Sequence, residues 1–306
     1  MSLLSANPSF ESPRNKVVLI LGASGTGKSK LSIDLATHFP AEIINSDKLQ
    51  VYKGLDITTN KVTQAEQSHV PHHLLGHVTD PEADYTAEDF ALDVLSAIEA
   101  ILTAGRVPII AGGSNSYIEA LVEDPAYQFK ERFESLFIWL DVAKPVLDLY
   151  VAKRVDDMVR QGVVEEVRGL FDPDADYTKG IRRAIGVPEL DRYFKEEPEL
   201  DEKEKERVLE KAIKETKENT CKLTARQVGK ILRLRDERGW KLHRIDATAV
   251  FEKSGKEALE EWEALIMQPC LEIVEEFLRG PDSKGEAVDH FFNACSYPGE
   301  VKVISN

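Results

Sequence analysis

Eight consecutive residues, Gly22-Ala23-Ser24-Gly25-Thr26-Gly27-Lys28-Ser29, match the pattern G-x-x-x-x-G-K-[ST]. A turn this rich in glycine lets successive backbone N–H groups converge on phosphate oxygens. A helix starting at its end adds the partial positive charge of its N-terminus. Lys28 then reaches a bridging or terminal phosphate, and the Ser29 hydroxyl suits a Mg²⁺ ligand. The motif follows a short apolar run and precedes helical spacing, the two contexts it needs. Residues 22–29 therefore predict a site for a diphosphate or triphosphate.

Asp47 is the second candidate. It closes Asn45-Ser46-Asp47 at the carboxyl end of an expected strand, the rim where ligands bind in open parallel sheets. A carboxylate there can be a metal ligand, a general base or a helix cap. Residues 136–141 end in Asp141, superficially the metal-holding aspartate of an NTPase, whereas residues 109–113 end in glycines. His69, His72, His73 and His77 crowd one Pro-containing segment but lack the cysteine partners or helical i, i+4 pairing of a zinc site. Tyr52 and Tyr117 read as core residues.

The elements that must carry these groups alternate. Apolar β-branched runs at residues 17–21, 42–45, 107–111 and 136–142 predict strands buried on both faces. Helical spacing follows at 30–39, at 88–102 with Phe90, Val94, Ile98 and Ile101 on one face, at 114–121, and after Pro145. Strand and helix repeating about every thirty residues predict an α/β fold with a parallel sheet covered on both faces. Beyond residue 145 the pattern turns mainly helical. Residues 201–219 are dense in Glu and Lys at i, i+4. Residues 222–244 reverse the charge with eight basic side chains, residues 242–246 predict a last strand, and 256–278 an amphipathic acidic helix. The expected organisation is a flexible leader (1–15), a core (16–145), a helical region (146–220), a return to the core (221–280) and a tail (281–306).

The chain has 306 residues, 54 acidic against 39 basic, for a net charge of −15. Its 42% apolar and 30% charged content suits a globular protein. No apolar run nears the ~20 residues of a membrane helix. The acidic balance argues against wrapping long nucleic acid, whose affinity comes from clustered Lys and Arg. Cys221, Cys270 and Cys295 lie far apart, giving neither a disulfide framework nor a cysteine zinc site.

Further segments carry a resemblance. Ile44-Asn45-Ser46-Asp47-Lys48-Leu49-Gln50-Val51-Tyr52, Val70-Pro71-His72-His73-Leu74-Leu75, Ala111-Gly112-Gly113-Ser114-Asn115-Ser116-Tyr117, Arg154-Val155-Asp156-Asp157-Met158 and Thr224-Ala225-Arg226-Gln227 follow the phosphate loop in order. With Gly180-Ile181-Arg182-Arg183-Ala184-Ile185-Gly186-Val187-Pro188-Glu189, the set resembles the isopentenyltransferases over about residues 17–250. That last segment is similar to the plant adenylate branch. The tRNA branch commonly has Ile-Gly-Tyr-Lys-Glu there, with a basic C-terminal extension. Residues 229–232, Gly-Lys-Ile-Leu, depart from the Ala-Lys-Arg-Gln usual in the tRNA branch.

The resemblance implies a sheet like that of the P-loop nucleoside-triphosphate hydrolases, with a smaller helical substrate region. It implies transfer of a dimethylallyl group from dimethylallyl diphosphate to N6 of ATP or ADP, releasing pyrophosphate, the first step of cytokinin biosynthesis. The phosphate loop then holds the prenyl donor and Ser29 ligates Mg²⁺. Asp47 is the general base, Lys28 and Arg226 stabilise the leaving group, and Ser114 sits near the reacting diphosphate or caps a helix. Lys179, Arg182, Arg183 and Lys230 are candidates to grip acceptor phosphates. Long nucleic acid and membrane are not expected partners, and residence in the plastid stroma, or else the cytoplasm, follows from the family. The alternatives are a tRNA dimethylallyltransferase and a small-molecule kinase.

Overall fold

The computed structural model of the chain describes residues 15–280. The expected tail, and the expected leader apart from Asn15, lie outside the described residues. Six strands, β1 (Lys16–Leu21), β2 (Ala41–Asn45), β3 (His72–His73), β4 (Val107–Ala111), β5 (Glu134–Asp141) and β6 (Leu242–Asp246), form one sheet ordered β3-β2-β4-β1-β5-β6. Every neighbouring pair is parallel; Val18, for example, sits between Ile109 and Leu136.

Continuous apolar runs are what a sheet covered on both faces requires. In β1, Val17, Leu19 and Leu21 join the core on one face while Val18 and Ile20 join the core on the other. The helices are α1 (Lys28–His38), α2 (Ala87–Thr103), α3 (Asn115–Glu123), α4 (Phe129–Arg132), α5 (Lys144–Gln161) and α6 (Val163–Arg168). They continue with α7 (Val187–Glu196), α8 (Glu202–Asp236), α9 (Thr248–Phe251), α10 (Gly255–Trp262) and α11 (Gln268–Arg279). Phe90, Val94, Ile98 and Ile101 of α2 share the first face with Leu121 of α3 and Ile231 of α8. Leu31 and Leu35 of α1, with Trp262, Cys270 and Val274 of the C-terminal helices, cover the second.

Two helical expectations change. The mixed Glu and Lys stretch before residue 220 and the basic one after it belong to a single helix, α8. The line drawn at residue 220 therefore marks a change of charge along one rod. Thr220, Thr224, Gln227, Ile231 and Leu234 form its buried stripe at 4-3-4-3 spacing, so the basic residues lie around that stripe. The helix expected at 256–278 is interrupted by a π turn over Glu263–Met267. Pro269 explains it: with no N–H to donate and a ring that clashes with the carbonyl four residues back, it disfavours α geometry there.

Candidate active site

The glycine-rich turn leaves β1 at its carboxyl end and delivers α1. Within it, Thr26 Oγ1 and Lys28 Nζ both donate to the Ala23 carbonyl, at 3.0 and 2.6 Å. Gly27 has φ 91°, and a Cβ there would fall 2.9 Å from the Trp262 ring, so the turn rests on an indole supplied by α10. Trp262 is fixed in turn by its Nε1–H donating to Asp34 at 2.8 Å. Two further helices reach the turn. Arg154 of α5 donates to Ser24 Oγ at 3.0 Å. Gln227 of α8 accepts the Ser24 N–H at 2.8 Å and donates through Nε2 to the Gly113 carbonyl at 2.9 Å.

The ends of β2 and β4 meet beside this turn. Asn45, buried at the end of β2, donates to the carbonyls of Asp47 (3.1 Å) and Leu74 (3.0 Å) and accepts the Asp47 N–H (3.1 Å). Asp47 Oδ1 accepts the Leu49 N–H at 3.0 Å. Oδ2 lies over Gly113, where an added Cβ would stand 3.3 Å from it. A Cβ on Gly112 would meet the Ser46 carbonyl carbon at 2.4 Å, so only glycine permits this approach. Ser114 Oγ accepts the Lys48 N–H at 2.9 Å and makes no side-chain cap on α3. Its hydroxyl ties down the residue after Asp47.

These groups share an open cavity of about 950 Å³. Lys28, Ser29, Asp47, Gly113 and Arg154 are among its polar lining residues, and Ile57, Val155, Met158 and Ile185 among its apolar ones. Burial holds the Lys28 ammonium down to about 8, with Arg154 pushing the same way and the Asp47 carboxylate opposing. Burial likewise lowers Arg154, against the pull of Tyr150 and Asp47. Lys48 is lowered by burial and then by Arg183, while Asp47 opposes and Lys230 and Arg226 add to the lowering. The second group of cations thus gathers around Lys48.

A family model described as IPP transferase matches residues 50–132 and 124–230. Adenylate isopentenyltransferase 5, chloroplastic, of Arabidopsis thaliana is 56% identical over 88% of this chain and 82% of its own length. Adenylate isopentenyltransferase 7, mitochondrial, of the same plant is 47% identical over 95% and 89%. The chain belongs to the isopentenyltransferase family. Its plant relatives, including the adenylate isopentenyltransferase of Humulus lupulus at 44% over 85% of this chain and 89% of that one, put it with the adenylate branch. Among solved structures, a eukaryotic dimethylallyltransferase acting on tRNA superposes with TM-score 0.72 at 26% identity, over 89% of this chain and 81% of that one. A tRNA isopentenylpyrophosphate transferase of Staphylococcus epidermidis shares the fold, with TM-score 0.67 at 22% identity over 85% and 99%.

In this isopentenyltransferase the structure brings together residues 22–29, Asp47 and the Gly113–Ser114 corner. Arg226 and Lys230 are exposed on α8, one turn apart, and near enough to Lys48 to act on its charge. Lys179 is exposed and paired with Asp176 at 3.5 Å. Arg183 donates to the Gly180 carbonyl at 3.2 Å and approaches Asp84 at 3.6 Å. Arg182 corrects the expectation of an acceptor-phosphate ligand. It is buried, donates to the Leu170 carbonyl at 2.6 Å and stacks on Tyr177. The segment Gly180–Arg183 is a 3₁₀ turn, in which neighbouring side chains point about 120° apart, so one arginine turns inward when the next turns out.

Other expectations fall into place as packing. Tyr52 is fully buried and donates to the Ala83 carbonyl at 2.6 Å; Tyr117 donates to the Tyr85 carbonyl at 2.6 Å. His72 and His73 form the edge strand, with His73 Nε2 2.6 Å from Glu42. Asp141 is taken by Arg244, whose Nε donates to it at 2.8 Å. Arg154 and Gln227 were present in the quoted segments without a role. The available signal was a polar residue on an apolar stripe, Arg154 beside Val151, Val155 and Met158, and Gln227 between Thr224 and Ile231.

Proposed function

We propose that this chain transfers a dimethylallyl group from dimethylallyl diphosphate to N6 of the adenine of ADP or ATP, with pyrophosphate leaving. The observation that carries the reading is the position of Asp47 Oδ2 over Gly113, on one cavity with the phosphate loop. The adenine amine is a weak nucleophile because its lone pair is delocalised into the ring. As the new C–N bond forms, one N6–H proton passes to Asp47, and the lone pair is freed for attack. On the opposite side the allylic C–O bond breaks and its electron pair leaves with pyrophosphate. Backbone N–H groups of the loop, Lys28 and Arg154 offset that developing negative charge. The apolar lining residues Ile57, Val155, Met158 and Ile185 suit a five-carbon hydrocarbon chain.

Mg²⁺ fits the donor set. Ser29 offers a hydroxyl on the cavity, and among the described residues no cluster of three or more His, Cys, Asp or Glu forms a cage. Mg²⁺ prefers one or two protein oxygens plus substrate phosphates. Held by Ser29 and the diphosphate, it would neutralise leaving-group charge. On the acceptor side, Arg183 and Lys230 beside Lys48 support binding of nucleotide phosphates, and Arg226, the arginine expected at the leaving group, lies near the same lysine. The relatives' names, chloroplastic with one mitochondrial, support residence in an organelle, the plastid first.

The deciding experiment compares AMP, ADP, ATP and tRNA as acceptors with one prenyl donor and Mg²⁺. Prenylated nucleotide from ADP or ATP is the expected product. Product from tRNA alone would assign the chain to the other branch, and phosphate transfer from ATP without donor would make it a kinase.

A further inference from the structure

Glu166 lies on α6, outside the cavity lining, and its carboxylate is fully engaged. Oε1 accepts the Ile57 N–H at 2.8 Å; Oε2 accepts the Thr58 N–H at 2.8 Å and the Thr58 hydroxyl at 2.6 Å. Three donors on two consecutive residues fix the orientation of that backbone as well as its position. Those residues belong to the irregular segment after Tyr52, and Ile57, Thr58, Thr59 and Lys61 of that segment face the reaction cavity. Leu55 and Asn60 hold left-handed φ values of 49° and 52° without being glycine, a conformation that needs support from outside. Gln50, donating to the carbonyls of Thr59 and Asn60 at 2.9 and 3.1 Å, steadies the far side of the segment.

α6 follows α5 with only Gly162 between them, and α5 carries Arg154, Val155 and Met158 on the cavity. Glu166 thus ties the Ile57–Thr58 backbone to the helix that continues from α5, and both contribute apolar side chains to the cavity. Thr58, Val155 and Met158 also enclose a small apolar recess of about 20 Å³ next to it. A change in the spacing of these elements alters the room for a hydrocarbon chain.

We propose that Glu166 is a positioning residue for the transfer reaction: it clamps Ile57 and Thr58 against α5, so that the apolar lining holds the prenyl chain in line with Asp47. This rests on the prenyl-transfer reading, and the test separates the two. Glu166→Ala, Glu166→Gln, Thr58→Val and, as a surface control, Glu165→Gln are compared by steady-state kinetics with dimethylallyl diphosphate, by thermal melting and by limited trypsin digestion at Lys53 and Lys61. Glu166→Ala should raise the donor KM about tenfold or more and speed cleavage at Lys53 and Lys61 by about tenfold, since two backbone N–H groups lose their acceptor. Glu166→Gln, whose carbonyl oxygen still accepts, should fall between it and wild type, and Thr58→Val should show a smaller effect of the same kind. Unchanged cleavage and KM in Glu166→Gln and Thr58→Val, or a loss of melting temperature and kcat with KM unmoved, would overturn the proposal. A wild-type protein that forms no prenylated product would defeat the transfer reading, while digestion would still report whether Glu166 holds the segment.

Discussion

A carboxylate that must hold a turn and also take a proton needs its two oxygens to do different work. Asp47 divides them: Oδ1 is committed to the Leu49 N–H, and Oδ2 is aimed over Gly113 into the cavity. Asp47→Asn keeps the turn bond and removes the base. Its kcat should fall by about 10²–10⁴ with the donor KM nearly unchanged, and a matching loss of donor binding would argue for a structural role instead. Lys28 supplies a pH signature. Burial brings its pKa from 10.5 down to about 8, so the buried charge opposes folding below about pH 8, and that opposition fades as pH rises towards 10.5. Bound pyrophosphate favours the ammonium. The ratio of wild-type to Lys28→Met affinity for inorganic pyrophosphate, in which the ligand's own ionisations cancel, should therefore be flat below about pH 7 and fall as pH passes 8, approaching tenfold per unit. Calorimetry in buffers of different ionisation heat should find more protons taken up by wild type than by Lys28→Met on binding at high pH; a flat ratio of the two affinities through that range would remove Lys28 from the cradle.

At the scale of elements, the helices that build the site do so through polar residues on otherwise apolar stripes. Gln227 is the clearest case, because one amide side chain joins the phosphate loop at Ser24 to the corner at Gly113. Gln227→Ala leaves the buried Gly113 carbonyl without this donor, a cost of about 1–3 kcal/mol, frees the half-buried Ser24 N–H, and should lower stability in a denaturant titration while raising the donor KM. Gln227→Glu can still accept from Ser24 but adds negative charge beside the cradle, so donor binding should suffer more than stability; equal effects on both would show Gln227 to be mere packing. This also explains what was legible beforehand. Strands β1, β2, β4 and β5 follow from short continuous apolar runs and the α1, α2 and α3 helices from a period of 3.6, whereas the two-residue edge strand His72–His73 carries no such run. Asp47 was placed by its position at a strand end. Arg154, Gln227 and Glu166 required knowing which helix face is buried and what lies opposite, which involves residues more than a hundred positions away. Arg182 was misread because its short turn has a different period.

Over the whole molecule the net charge of −15 sets the terms on which a polyanion approaches. Much of the positive charge from α8 through β6 is already paired: Arg233 and Arg238 with Glu119, Arg244 with Asp141, Lys217 with Asp156. What remains near the site is local, the cations around Lys48. A nucleotide with two or three phosphates can use such a cluster. A tRNA needs a broad basic surface, since each phosphate contact supplies affinity through released counterions. The tRNA-acting neighbour superposes over 89% of this chain, so the fold alone does not select the acceptor, and local charge must. Lys230 is exposed, and an ion pair in water-like surroundings is worth about 1 kcal/mol at contact. Lys230→Ala should therefore raise KM roughly fivefold for ATP and ADP, less for AMP, and leave the donor KM alone. With wild type, moderate salt should shift KM for ATP by the slope of two or three charges, and tRNA should show no gel shift under the same conditions. Should Lys230→Ala leave the order of the three nucleotides untouched, or should tRNA bind with a steep salt slope, acceptor choice would have to come from another surface of the molecule.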